Sequence, residues 1–212
     1  MRVVKEAEER KNEILDVAEH LFAAKGFDRT STNDILNEIG IARGTLYYHF
    51  KSKEELLDSM INRMTKRLVE KARKIAEQKD VPILERLTLM MLALNISDDN
   101  FNQEILQQVH KPQNALMHQK MQNCLLSEMN PLITALIKEG IAQGICQTEY
   151  PEEAAEMTFL YVNTIFDDLM EYSSEDRQKK IAAFIYNLER LLNMEQNSMK
   201  SAIMPIFRNA AK

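Results

Sequence analysis

Residues 31–50 read STNDILNEIGIARGTLYYHF, two short apolar-periodic segments hinged at a glycine. Ile35 and Ile39 lie four apart and share one helical face. Ser31 or Thr32 offers the side-chain oxygen that opens such a helix. Gly40 tolerates the left-handed backbone of a tight turn. Ile41 and Leu46 can fill the angle between this helix and the next. That leaves Arg43, Gly44, Thr45, Tyr47, Tyr48 and His49 on a second short helix whose start is free to enter a DNA major groove. The residue types suit base reading. Arg43 can donate to both O6 and N7 of guanine, Asn33 can pair with adenine, and the Thr45 methyl can touch thymine. Lys51 and Lys53 bring positive charge beside the groove, Lys53 at the start of a helix, where phosphate is attracted.

Working outward, Ile14, Val17, Ala18, Leu21 and Phe22 form the buried stripe of a helix that Gly26 ends. On the other side, Ser52 and Glu55 predict a capping box that opens a long helix through Leu56, Met60, Met64, Leu68 and Ile75. Pro82 starts a helix carrying Leu84, Leu87, Met90, Met91 and Leu94. Asp98-Asp99-Asn100 breaks it and can cap another helix to about His110. Pro112 opens a segment to Glu139, which Pro131 is expected to kink or break. Gly140 and Gly144 predict a loop. Pro151-Glu152-Glu153 starts a further helix, with proline at its first position and acids in its first turn. Ser173 and Ser174 separate it from the last helix, which runs to about Met194. The tail from Glu195 has weak periodicity and is expected to dock loosely.

The predicted fold class is therefore all-α, with about nine helices. An N-terminal three-helix unit containing the helix-turn-helix spans 8–58, a larger helical domain spans 59–194, and a tail covers 195–212. Composition agrees. The chain has 212 residues, 45% hydrophobic and 28% charged, with only five glycines and five prolines, which suits long amphipathic helices better than a many-stranded fold. No apolar run approaches the ~18 residues of a membrane span, so no membrane partner is expected. The charged N-terminus does not read as a secretory signal. Cys124 and Cys146 lack metal-ligand spacing and read as thiols of a reducing cytoplasm. The net charge is −5, so DNA attraction would have to come from a local basic face.

The ordered string around the helix-turn-helix closely resembles the DNA-binding domain of the TetR family of bacterial transcriptional regulators. It runs from Phe22, Gly26 and Phe27 through Thr32, Asp34-Ile35, Gly40-Ile41 and Gly44 to Phe50, and on to Lys53-Glu54-Glu55-Leu56-Leu57. The resemblance implies that Thr32, Tyr47, Tyr48, His49 and Lys53 contact backbone phosphates. It places Asn33, Arg43, Gly44 and Thr45 near base edges. Two positions depart from the family pattern. Leu36 stands where a small residue is usual, and Ala42 replaces a common serine or threonine N-cap. On their own chemistry, Tyr47 and Phe50 also suit packing, His49 suits a plain surface position, and the basic run Lys66, Arg67, Lys71, Arg73 and Lys74 suits a solvated helix face.

Beyond this domain the resemblance is general. The segment from Leu136 to Ile145, followed by Pro151 and Ala154-Ala155, is similar to the loop before the last two helices of such regulators. Those helices carry more apolar surface than one core needs. Ala155, Phe159, Val162, Phe166 and Leu169 make one stripe, and Ala154, Thr158, Tyr161 and Ile165 a neighbouring one. Ile181, Ile185, Leu188 and Leu192 line the last helix, flanked by Phe184 and Leu191. The resemblance implies a four-helix interface between two subunits, for which Tyr161, Ile165, Phe184, Leu188 and Leu191 are the candidates. An effector pocket among the central helices would draw on Met90, Met91, Met117, Met121, Phe159 and Phe166, since methionine suits an adaptable apolar cavity. His110 and Asn163 are candidates for its polar contacts. Methionines at helical spacing also serve as plain core.

The expected function is that of a cytoplasmic, homodimeric, ligand-responsive DNA-binding regulator, a repressor released from a palindromic operator by a small, hydrophobic effector. Two other classes stay open: an interaction module that keeps the helix-turn-helix shape without DNA binding, and an enzyme. The sequence holds no nucleophilic triad, phosphate loop, metal cluster or nucleotide motif, so neither catalysis nor a cofactor is expected.

Overall fold

The computed structural model describes residues 2–95, 114–165, 172–200 and 202. Among them are eight α-helices and no strand: α1 (Arg2–Lys25), α2 (Thr32–Ile39), α3 (Arg43–His49), α4 (Lys53–Ala76), α5 (Ile83–Asn95), α6 (Ala115–Ala142), α7 (Pro151–Ile165) and α8 (Ser174–Leu191). The helix expected from Asp98-Asp99-Asn100 to about His110, and Pro112, expected to open the next segment, lie outside the described residues. The chain forms two compact units, 1–66 with 98–124, and 67–97 with 125–212.

In the first unit most of the predicted stripe of α1 is buried: Ile14, Ala18, Leu21 and Phe22 belong to the core with Phe27, Ile35, Leu46, Phe50, Leu56, Leu57 and Met60, while Val17 is half-buried. Gly26 ends α1 at φ +89°, donating its N–H to Phe22 O at 2.9 Å. Glu19 is almost fully buried and is paired with Arg63, whose guanidinium also reaches Asp16 at 2.7 Å. This pairing fixes α1 against α4, because a buried carboxylate without a cation would be costly. Leu36, bulky where a small residue was expected, is buried without breaking α2.

The second unit is tied by Arg86, the most deeply buried cation among the described residues. Its side chain is 1% exposed and forms a bidentate pair with Glu139 of α6. It also donates to Ala76 O at 2.8 Å and Val81 O at 3.0 Å. One side chain thereby satisfies the last carbonyls of α4, the following loop and a carboxylate of α6. Arg86 and Lys79 hold the Glu139 carboxyl at about 2, well below its usual range.

Pro131, expected to kink or break α6, does not break it: the helix runs from Ala115 to Ala142. Its ring is on the exposed side, where the missing N–H costs least, and the buried Met129, Ile133, Leu136 and Ile137 hold the turns around it. Gly140 is helical and does not begin the loop. A Cβ there would meet Cys146 Sγ at 2.9 Å, so glycine serves close packing. Gly144, at φ +72°, makes the turn. The start of the tail is also better anchored than expected. Asn197 and Met199 donate their N–H groups to the Glu189 carboxylate at 2.8 and 2.9 Å, and Met199 is buried.

Candidate nucleic-acid interface

Each turn of the 31–50 segment has a local cause. Ser31 caps α2 and exchanges hydrogen bonds with Asp34. The Asp34 N–H donates to Ser31 Oγ at 3.2 Å and the Ser31 N–H donates to Asp34 Oδ2 at 2.7 Å. This is a capping box with aspartate as its acid. The Ser31 hydroxyl and N–H, with Lys25 beyond them, hold the Asp34 carboxyl below its usual range. Gly40 adopts φ +74°, and both Gly40 and Ile41 donate to Leu36 O. Leu46 and Phe50 are buried, which pins α3 by its inner face. Ala42 precedes α3 with no side-chain cap.

The outer face displays the predicted readers. Asn33, Arg43 and Gly44 are exposed, and Thr32, Thr45 and His49 are half-buried. Tyr47 is 43% and Tyr48 80% exposed, so Tyr47 is not consumed by the core. Tyr48 and His49 meet edge to face with centroids 5.0 Å apart. Arg43 Nη2 donates to Asn33 Oδ1 at 2.9 Å, joining the two residues with the best base-reading chemistry although they sit on different helices. Gly44 is helical, unlike Gly26, Gly40 and Gly144 with their positive φ, and a Cβ there would meet nothing within 4 Å.

Lys53 stands at the start of α4, as expected, and has partners within the fold. Its ammonium donates to Phe27 O at 2.9 Å and Thr30 O at 3.1 Å and lies 4.1 Å above the Phe27 ring. Ser52 caps α4 as predicted, but Glu55 reaches the N–H of Lys51 and not that of Ser52. Thr30 was missed by sequence reading. It is buried and donates to Gly26 O at 2.8 Å and Leu21 O at 3.2 Å. No sequence pattern marks a threonine that closes a loop backwards. The Ser31–Asp34 spacing, by contrast, was readable.

The described effector candidates divide between the two units. Met117 and Met121 are buried in the first unit, and Met90 and Phe159 in the second. Asn163 is half-buried in the second unit. His110, Phe166 and the Met91 side chain lie outside the described residues. A groove of about 770 Å³ opens instead between α7 and α8, lined by Met157, Leu160, Tyr161, Phe184, Leu188 and Leu191 among others. Of the interface candidates, Tyr161 is 40% and Leu191 37% exposed, whereas Phe184 and Leu188 are buried. Tyr161 stacks on Phe184 at 5.4 Å. The Ile165 side chain lies outside the described residues. The second apolar stripe of α7 is also displaced. Ala154 and Thr158 are buried, and the exposed row is Met157, Leu160 and Tyr161.

Among the described residues no group of three His, Cys, Asp or Glu is placed to hold a metal. No described helix is long and apolar enough to cross a membrane.

Comparison with known proteins agrees with this geometry. Residues 14–60 match the family model "Bacterial regulatory proteins, tetR family", and residues 97–186 match "Tetracyclin repressor-like, C-terminal domain". The HTH-type transcriptional repressor KstR2 of Mycobacterium tuberculosis is 36% identical over 92 residues. That match covers 43% of this chain and 46% of KstR2, so it spans about half the length of that relative. The HTH-type transcriptional regulator YerO of Bacillus subtilis is 28% identical, covering 93% of this chain and 68% of YerO. In fold, the chain is similar to Salmonella enterica GusR, with TM-score 0.62 and 22% identity over 87% of this chain and 96% of GusR. It is also similar to SmeT in its triclosan complex, with TM-score 0.61 and 21% identity over 82% of this chain and 91% of that one.

Proposed function

Because the chain belongs to the TetR family of bacterial transcriptional regulators, we propose that it is a ligand-responsive repressor. The residues around 8–58 bind operator DNA, the helical region over 59–194 senses an effector and pairs the subunits, and the tail follows from 195. Arg43, Asn33, Gly44 and Thr45 approach base edges. Thr32, Tyr47, Tyr48, His49 and Lys53 approach phosphates. The observation that carries this reading is the display on α2 and α3. Their inner faces are buried through Ile35, Leu46 and Phe50, while Arg43, Asn33 and Tyr48 are left to solvent.

The subunits pair through the exposed row on α7 and its neighbours on α8, where Met157, Leu160, Tyr161 and Leu191 leave apolar surface uncovered. A homodimer sets two copies of α3 about one DNA turn apart, roughly 34–36 Å, to grip a palindromic operator in the cytoplasm. A small, largely apolar effector favours a state with another spacing. Derepression by about 100-fold needs only about 2.7 kcal/mol of differential affinity between the states. Neither a catalytic step nor a cofactor forms part of this reading.

Fluorescence anisotropy against duplexes tiling the DNA upstream of its own gene tests the proposal. Saturable binding to one tile that survives excess random DNA supports it. Equal, weak binding to all tiles that vanishes with salt favours an interaction module that kept only the shape.

A further inference from the structure

We propose that residues 193–200 form a latch over a further ligand site, an apolar chamber at the start of α5 and the end of α6. The chamber takes a small molecule without hydrogen-bonding groups once the Met199 side chain withdraws. It shares no lining residue with the groove between α7 and α8. The inference goes beyond the repressor reading and does not depend on it.

The chamber is closed and nearly filled by the chain itself. A void of about 20 Å³ remains, lined by Ile83, Leu87, Leu136, Ile137, Leu192 and Met199 among others. A void of that size with apolar walls has room for no more than a water and no partners to hold one. Ile83, Leu87, Leu136 and Ile137 stand on α5 and α6, whereas Met199 arrives on the segment that follows α8. Met199 is 1% exposed, so it acts as a plug carried in from outside the helical frame. An unbranched, adaptable side chain suits that part. Its withdrawal adds the space of a methionine side chain, which brings the chamber toward the roughly 150 Å³ of apolar cavities that accept benzene or xenon.

The segment is held at one residue and opposed by its own backbone. Glu189 of α8 is buried. Its carboxylate accepts the N–H groups of Asn197 at 2.8 Å and Met199 at 2.9 Å, and its carbonyl accepts that of Met194 at 2.8 Å. These bonds and the burial of Met199 favour the closed state. Against them, Asn193 and Asn197 hold left-handed backbone, at φ +45° and +68°, which asparagine tolerates better than most residues but not freely. The Ser198 Oγ is buried with no hydrogen-bond partner among the described residues, and lifting the segment would give it one in water. Lifting also returns the Glu189 carboxylate to water, which offsets the loss of its two donors. Such an element opens locally at a cost well below global unfolding. An apolar ligand competes with Met199 for the same walls and shifts the population toward the open state.

The test uses the full chain with carbon-13 in its methionine methyls, and benzene as the probe. The Met199 methyl signal, assigned with Met199→Leu, should move saturably as benzene is added. Amide exchange at residues 197–199 should quicken in step. Glu189→Gln loosens the latch without touching the chamber wall, and should bind benzene about tenfold more tightly, the scale of a hydrogen bond to a charged group. Met199→Ala should also bind more tightly than the wild type, since the cost of withdrawing the plug is gone. A wild type whose Met199 methyl does not respond would overturn the proposal. So would a response at Met157, which lines the groove, with none at Met199. Binding with unchanged exchange at residues 197–199, or no gain in Glu189→Gln, would show that no latch is involved. Binding by Met199→Ala alone would make the chamber a product of the substitution and would equally overturn it. Should either variant fail to fold, the wild-type shift and exchange still decide. The experiment contains no DNA, so its failure and the failure of the repressor reading are separate results.

Discussion

Arg43 and Asn33, ten residues apart and on different helices of the helix-turn-helix, are joined by a hydrogen bond of 2.9 Å between Nη2 and Oδ1. The bond occupies one edge of the Arg43 guanidinium and leaves its other donors to solvent, because both side chains are exposed. On the proposed reading the two act on DNA as a unit. Arg43→Ala should weaken operator binding by about 1–3 kcal/mol, as for loss of one base reader. Asn33→Ala should also weaken it, and the double variant should lose less than the sum. A double-mutant cycle read by anisotropy checks this, and strict additivity would show that the pair is uncoupled.

Gly44 sits inside α3 with open space where a Cβ would be. Within the free protein, alanine would be the better helix residue by up to about 1 kcal/mol. Gly44→Ala should raise the thermal midpoint and lower operator affinity, since the added methyl meets only what approaches from outside. Thermal denaturation and anisotropy on one preparation read both effects. A variant that binds as well as the wild type would remove Gly44 from the interface.

The Glu139 carboxyl is held at about 2, against an ordinary 4.5, by Arg86 first and Lys79 second. A depressed folded-state value stabilises the protein above the unfolded value, and that stability is lost as pH falls through the folded one. Unfolding free energy should therefore decline between pH 4.5 and about 2 by a component that Glu139→Gln removes. Arg86→Met at neutral pH leaves Glu139 without its buried partner and should cost about 3–5 kcal/mol. Denaturant titrations across this range measure both.

Leu160 and Leu191 are exposed on α7 and α8. Charged replacements there should leave the monomer folded, because neither side chain belongs to its core. Leu160→Asp should shift sedimentation from dimer to monomer at micromolar concentration, while circular dichroism stays helical. A variant that remains dimeric would move the subunit interface elsewhere.

Much of this arrangement was readable from the chain because its causes are local. Gly26 and Gly40 take left-handed turns where periodicity stops, and Ser52, Pro151 and Ser173 begin helices where they stand in sequence. What escaped depends on distant partners. Pro131 reads as a site of a kink or break, yet α6 continues through it, with Ile133 and Leu136 buried on the turns that follow. Gly140 reads as a loop signal because Cys146, which requires it, approaches only in the folded chain. The hydrogen bonds of the Lys53 ammonium to Phe27 O and Thr30 O join residues 26 and 23 positions apart, so no local pattern announces them. Thr30, Glu19 and Arg86 are polar residues whose burial becomes intelligible once their partners are known. The apolar face of α7 was legible as a surplus but misplaced by one position, since neighbouring stripes of one helix differ in sequence by a single step.

The central claim is that two copies of α3 read a symmetric duplex, and in vitro selection tests it most directly. Purified full-length protein is equilibrated with a random duplex library, and the bound fraction is amplified and sequenced. The account predicts enrichment of a two-fold symmetric site whose half-sites are centred about 10–10.5 base pairs, or a multiple of that turn, apart. The enrichment should be lost with Arg43→Ala. A library that stays random, or that enriches equally with Arg43→Ala, would contradict it.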